Sequence, residues 1–205
     1  RGLFKTTEYW KNWWAKRQLN WEEAYFNLDH PHRRKIIEAL ANFKFKTVFE
    51  VGCGAGANLY LAEKYFRCQV GGYDVNPEAI EMAKKKLSPR SILQVGNATD
   101  IYVSSQGLDV LLSDMVYIYL TKKDFRRALV EAKRAAREGV VFCEFHTKSW
   151  IKRVLVKLMT GYNSYDYEKE LLRAGFYDIR IYPLTEEDWP GTGKEKLRCI
   201  VSARS

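Results

Sequence analysis

The sequence predicts an α/β fold whose first strand runs into a glycine-rich, nucleotide-binding turn and then a helix. Three stretches carry the prediction. Val48-Phe49-Glu50-Val51 is a short apolar run, Gly52-Cys53-Gly54-Ala55-Gly56 is the turn, and Leu59 to Tyr65 continues at helical spacing. Two later apolar segments leave through polar exits, at Asp74 and at Gly96-Asn97. Glycines let a backbone bend tightly and approach a ligand, and the first free N–H groups of the following helix face its polar atoms. Gly52, Gly54 and Ala57 also fit the G-x-G-x-x-G/A pattern of dinucleotide binders, so the glycines alone specify only a nucleotide-like cofactor.

Composition bounds the answer. A chain of 205 residues is one domain on the usual scale and can bury a substantial core. Its 34 basic and 25 acidic residues leave a charge of +9, which favours anionic partners without naming one. Cys53, Cys68, Cys143 and Cys199 form no C-x-x-C pair, which predicts buried, reduced thiols in a cytoplasmic protein rather than disulfides or a zinc site. No apolar stretch approaches the roughly 20 residues that span a bilayer, so no membrane partner is expected. The chain begins at Arg1 rather than Met, which is compatible with a preceding segment or a trimmed targeting sequence.

Three residues narrow the cofactor. Glu50 stands at the end of a buried strand, where a carboxylate is costly unless a cation meets it. A dinucleotide offers only its distant nicotinamide ring, whereas S-adenosylmethionine brings an α-ammonium. Asp74, at the carboxyl end of the second strand, can accept from both ribose hydroxyls, a requirement common to both cofactors. Asn97, at the third exit, is placed to accept from an adenine amine. Together with Glu50-Val51-Gly52-Cys53-Gly54-Ala55-Gly56, Gly72-Tyr73-Asp74-Val75-Asn76-Pro77, Gly96-Asn97-Ala98-Thr99-Asp100-Ile101 and Leu108-Asp109-Val110-Leu111-Leu112-Ser113-Asp114-Met115-Val116, these residues give a chain that resembles the class I S-adenosylmethionine-dependent methyltransferases over residues 30 to 205. The departure is Asn97, where the family usually has Asp; an amide oxygen still accepts. The resemblance implies a Rossmann-like three-layer sandwich around a mostly parallel seven-stranded sheet with an antiparallel last strand, preceded by an aromatic helical segment at residues 1–29. It implies a cofactor set of Glu50, Gly52, Cys53, Gly54, Gly56, Asn58, Asp74, Val75, Asn97, Ala98, Asp114 and Met115, with S-adenosylhomocysteine as product.

In chain order, Trp10, Trp13, Trp14 and Trp21 recur near helical spacing, which predicts an amphipathic helix broken near Leu19-Asn20 and restarted at Trp21. Those rings either pack the helix onto the domain or, as the resemblance implies, fold over the cofactor and close the pocket, with Lys16 and Arg17 near the cofactor carboxylate. Pro31 starts the next helix, with Ile36, Ile37, Leu40 and Phe43 inward. His30 and His32 are either surface residues or, by the resemblance, near the methyl-transfer site. Asn76-Pro77 caps a helix that Ser88-Pro89 stops, and Ile92 to Val95 and Leu108 to Ser113 are strands three and four. Ligands sit outside the carboxyl ends of such strands, which makes Asp114, Tyr117 and Tyr119 candidates. Lys122 to Arg137 reads as a basic amphipathic helix ended by Gly139. Val140 to His146 is the fifth strand, with Glu144 and His146 at its end. Trp150 to Met159 is a second cationic helix, with Ile151, Val154, Leu155 and Leu158 on one side. Tyr162 to Tyr167 suits either substrate contact or packing, Glu168 to Ala174 is the last helix, and residues 176–182 and 197–203 form a hairpin-like pair around the loop at 188–194.

Methyl transfer needs a positioned nucleophile, and a base only where that nucleophile must lose a proton. His146, His30 and Asp114 are the catalytic candidates, with His32 and Glu144 also able to act as bases. Trp10, Trp14, Arg17, His32, Tyr117, Tyr119, Glu144 and Tyr162 are the substrate candidates. Ser113-Asp114-Met115-Val116 stands where enzymes that methylate the exocyclic amines of bases carry an Asn/Asp-Pro-Pro-aromatic tetrad, and there is no Pro-Cys pair. The expected activity is therefore transfer to an O, N or S atom of a small-molecule acceptor by a monomer or homodimer. A nucleic-acid methyltransferase using the basic surface and a non-catalytic cofactor-binding protein are the alternatives.

Overall fold

In the computed structural model, which describes residues 5–191 and 197–205, a seven-stranded sheet has the order β3-β2-β1-β4-β5-β7-β6. β1 (Thr47–Val51), β2 (Gln69–Asp74), β3 (Ile92–Val95), β4 (Leu108–Asp114) and β5 (Ala136–Phe145) pair in parallel, and β7 (Arg198–Arg204) runs antiparallel to both β5 and β6 (Tyr177–Pro183). The order reverses between β1 and β4. A crevice opens there at the carboxyl ends of the strands, where open α/β sheets bind ligands.

Side chains alternate between two cores because strand residues point to opposite faces in turn. Val48, Val110, Leu112 and Val141 face α3 (Pro31–Leu40), α4 (Ala57–Phe66) and α5 (Pro77–Lys86) through Ile36, Leu40, Leu59 and Ile80. Phe49, Leu111, Val140 and Phe142 face α6 (Lys122–Ala135) and α8 (Tyr167–Arg173) through Phe125, Leu129 and Leu171. This is the expected three-layer arrangement. All four cysteines are free thiols and all are buried.

The aromatic N-terminal segment is two helices, α1 (Thr7–Ala15) and α2 (Trp21–Tyr25), with the predicted break between them. It is pinned at both ends. Thr7 Oγ1 donates to Asp124 at 2.5 Å and accepts from Thr121 N at 2.7 Å, and Asn76 Nδ2 donates to the carbonyls of Trp14 and Arg17 at 2.8 Å each.

One expectation needs correction. α6 ends at Ala135 and passes into β5 at Ala136 with no intervening loop, so Gly139 is not a helix stop. It lies inside β5 at φ +154°, where an added Cβ would stand 2.1 Å from the Ala203 carbonyl of β7, and close backbone approach is what requires glycine there. The helix after β5, α7 (Trp150–Thr160), forms as predicted, but its apolar side is not packed: Ile151, Val154, Leu155 and Leu158 are all about half exposed. Of the loop expected at 188–194, residues 192–194 lie outside the described residues. No described helix is long and apolar enough to cross a membrane.

The glycine assignment is testable. Gly139→Ala is expected to cost at least about 2 kcal/mol, seen as a thermal midpoint lowered by about 4–8 °C; an unchanged midpoint would show that β5 and β7 can separate there freely.

Candidate active site

The crevice is a cavity of about 490 Å³ whose floor is made by the exits of β1, β2 and β4 and whose far wall is aromatic. Gly52 and Gly54 carry positive φ, +70° and +52°. A Cβ on Gly52 would collide with Val116 at 2.2 Å, whereas one on Gly54 would meet only Tyr25 at 3.9 Å and so project into the cavity. Gly54 is thus the point where backbone itself lines the site. Its N–H donates to Asp74 Oδ2 at 2.9 Å, while Asp74 Oδ1 accepts from Asn76 N, which fixes that carboxylate at the end of β2.

Beneath the turn lies a buried polar network. Asn58, on the first turn of α4, donates through Nδ2 to Glu50 Oε1 at 2.7 Å and to Asp114 Oδ2 at 3.1 Å, so one amide bridges the two carboxylates. Its own oxygen accepts from Arg33 at 2.6 Å, and Arg33 also donates to the carbonyls of Asn27 and Tyr25. Glu50 is only 1% exposed, and its Oε2 has no partner among the described residues. Burial, reinforced by the nearby negative charge of Asp114 and only partly offset by Asn58 and Arg33, pushes its carboxyl up to about 8. Asp114 goes the other way. Although burial alone would raise it, His32 and Arg33 hold its carboxyl down to about 2.

Asp114 Oδ2 also meets His32 Nε2 at 2.9 Å, and His32 Nδ1 meets His30 Nδ1 at 2.6 Å. With the aspartate ionised and His32 neutral, the bonding pattern assigns the protons: His32 donates from Nε2 to Asp114, His30 donates from Nδ1 to His32, and His30 Nε2 is left as a bare acceptor. Burial first, then the neighbouring His32 and Arg33, hold His30 below the usual histidine range. Trp189 packs on both rings, with centroids at 5.0 and 4.3 Å.

The structure sorts the sequence candidates. Glu50, Gly52, Cys53, Gly54, Asn58, Asp74, Val75, Asn97, Ala98, Asp114 and Met115 all line the cavity, as do His30, His32, Trp14, Tyr119 and Tyr162. Gly56 does not; it turns the chain into α4 at φ +83° and packs against Leu87. Trp10 and Arg17 line a smaller side cavity behind Trp14, and Arg17 lies over the Trp13 ring. Tyr117 is fully buried in the core. Glu144 is buried below the β4 exit, where Oε1 accepts from Ser113 Oγ, Val116 N and Tyr117 N, so it clamps a loop rather than facing a ligand; burial pushes its carboxyl up to about 7. His146 accepts from Tyr167 N at the start of α8, outside the cavity. Asn97 departs from its expected role. Its amide oxygen already accepts from Thr99 N and Thr99 Oγ1, which leaves the NH2 as its unspent polarity. Arg33, Tyr25, Trp189 and Arg198 line the site without having been singled out; for Arg33 the available signal was its place one residue after His32 on a helix start.

Residues 49–143 match the family model of a methyltransferase domain. The ribosomal RNA small subunit methyltransferase C of Buchnera aphidicola subsp. Baizongia pistaciae is 29% identical over 94 residues, covering 44% of this chain and 29% of that protein, so the chain spans less than a third of that relative's length. Among solved structures, the [4+2]-cyclase SpnF superposes with a TM-score of 0.70 at 15% identity, covering 94% of this chain and 86% of that one. The phosphoethanolamine N-methyltransferase 2 of Haemonchus contortus, solved with S-adenosyl-L-methionine, gives 0.65 at 15% identity, covering 84% and 52%. At such identities the structural likenesses speak for the fold alone.

Glu50 gives a prediction with a definite sign. Its folded value lies above the unfolded one, so its contribution to stability is present below about pH 4.5 and lost as pH rises through about 8. Glu50→Gln is expected to match the parent near pH 5 and to exceed it by on the order of 3 kcal/mol above pH 8, read from denaturant unfolding at each pH. Parallel curves for the two proteins would rule out a protonated Glu50.

Proposed function

The chain carries a Rossmann-like class I methyltransferase domain, and on that premise we propose that it transfers a methyl group from S-adenosylmethionine to an O, N or S atom of a small, planar or partly apolar acceptor. The observation that carries this reading is the unpartnered Oε2 of Glu50 beneath the glycine turn. A buried carboxylate of that kind suits the α-ammonium of an amino-acid-bearing cofactor. The remaining residues suit the rest of it: Gly52 and Gly54 admit close approach, Asp74 suits ribose hydroxyls, and Ala98 with the Asn97 NH2 edges the base. When bound, the cofactor supplies a sulfonium-activated methyl group. The protein's own part is positioning and the exclusion of water.

The acceptor end is supplied by Trp14, Tyr25, Tyr119 and Tyr162, which form the aromatic wall, and by the histidines. Asp114 orients His32, His32 fixes the tautomer of His30, and His30 Nε2 receives a proton from an acceptor that must lose one. A hydroxyl or phenol is therefore favoured over an acceptor with a free lone pair. Residues 1–29 act as a closing segment over the domain at 30–205, a reading supported by the two anchors of α1. The nucleic-acid alternative draws on the net charge and on the ribosomal RNA relative. It is weakened around α6, where Arg126 and Arg134 on the helix and Arg137 just beyond it in β5 are already paired with Glu170, Glu131 and Asp109.

Calorimetric titration is expected to give micromolar binding of S-adenosylhomocysteine, none of NADH, and a loss of at least about tenfold in Asp74→Ala; preference for NADH would overturn the proposal, and binding without isotopic methyl transfer to any acceptor pool would leave a cofactor-binding protein. In a transfer assay over a panel of phenols, the rate is expected to rise with pH through the lowered His30 value and be flat above neutrality. His30→Gln is expected to slow transfer by about 10²-fold or more while changing product affinity less than about twofold, and an unaltered rate would remove His30 from the chemistry.

A further inference from the structure

The helix α7 (Trp150–Thr160) shows the solvent an apolar face with nothing packed on it in the described residues. Trp150, Ile151, Val154, Leu155, Leu158 and Met159 are 67, 53, 47, 50, 55 and 77% exposed. At about 100° per residue these six fall in one continuous half of the helix circumference. The other half holds Val156, the one buried residue of the helix, flanked by Lys152 on one side and by Arg153 and Lys157 on the other. Both edges of the apolar face are therefore cationic. No aspartate or glutamate occurs from residue 145 through residue 165.

A second feature adjoins the first. Trp150, Arg153, Val154 and Lys157 also line a cleft of about 560 Å³ between α7, α8 and the start of α6, which holds seven lysines and arginines against two carboxylates, Asp166 and Glu170. Ser164 Oγ lies buried at this cleft with no partner among the described residues. An apolar face bordered on both sides by long cationic side chains, beside a cleft rich in positive charge, has the chemistry of a helix that lies in the interface plane of an anionic bilayer. Apolar side chains enter the acyl boundary, and the lysines and arginines reach back to the headgroups.

We propose that α7 docks this protein on an anionic lipid surface. The charge distribution argues against the other occupants. Two copies joined through this face would bring like-charged edges and clefts together, and a nucleic acid would leave the six apolar side chains in water. The absence of a spanning helix bears only on crossing a membrane, not on resting against one. The docked face is one layer from the cavity, because Val156 on its underside packs with Ile118 and Phe145, which line the site.

Co-sedimentation of the whole chain with phosphatidylcholine vesicles, with and without about 30 mol% phosphatidylglycerol, tests the proposal. Retention is expected to be at least about tenfold greater on the anionic vesicles and to fall in about 0.5 M salt. The double variant Leu155→Asp/Leu158→Asp, whose side chains leave the core untouched, is expected to keep its thermal midpoint and lose retention. Lys152→Glu keeps the apolar face and is expected to lose most of the preference for anionic vesicles. No retention of the parent on either vesicle, equal retention of parent and double variant, or a solution dimer that the double variant dissolves would each overturn the proposal.

Discussion

The site depends on two carboxylates buried side by side and kept apart in charge. Glu50 and Asp114 end adjacent parallel strands, and Asn58 donates to both. Two ionised carboxylates at that separation in a dry site would repel strongly, and the structure resolves this by unequal surroundings. Asp114 takes the Arg33 charge at close range and the His32 N–H and stays ionised; Glu50 keeps the Asn58 amide and a weaker pull from Arg33 and is driven toward its protonated form. Because Arg33 also ties Asn58 to the carbonyls of Asn27 and Tyr25, the same network holds the N-terminal segment at the mouth of the cavity. The cavity floor, the two histidines and the N-terminal segment share one set of hydrogen bonds.

Such a network is costly to complete in part. An amide whose oxygen and both hydrogens are used, as Asn58's are, is rigid, and removing any one partner leaves another buried group unsatisfied. Two carboxylate oxygens of the network are left over among the described residues, Glu50 Oε2 and Asp114 Oδ1, and both residues line the cavity; of the two carboxyls, Glu50's is the one pushed up by burial. The folded protein holds this acidic position unpaired at a cost that an incoming cationic group would relieve, so ligand affinity and apo-protein stability are drawn from the same residue.

Much of this was legible in the sequence, for identifiable reasons. The glycine turn, Glu50 and Asp74 sit within a few residues of strands and helix starts whose periodicity is local, so their positions follow from pattern alone, and the three strand exits that make the floor were placed correctly. What was not legible required pairing over long separations. Arg33 reads as one cation in a basic run until α4 brings Asn58 to it. His146 and His30 were equal candidates, and only packing showed that His146 serves α8 while His30 joins His32 and Asp114. Tyr117 and Glu144 have the right address at a sheet edge but point inward, because alternation along a strand gives the face and not the depth. Asn97 kept its place and lost its expected acceptor role to Thr99, two residues away. The apolar stripe of α7 was read correctly as a stripe; periodicity does not say whether protein covers it.

The β4 exit divides the labour between the two sides of the cavity. Met115 there has φ +55°, a conformation a non-glycine residue holds only when its surroundings impose it, and Glu144 imposes it by taking three donors on one oxygen. A floor clamped in this way tolerates little drift. The opposite wall is built from aromatic side chains carried on α1, α2 and the segments at 117–119 and 160–163, where one ring can replace another without disturbing the sheet. Divergence toward new acceptors would therefore accumulate in the helical wall, and the strand exits would be inherited nearly unchanged.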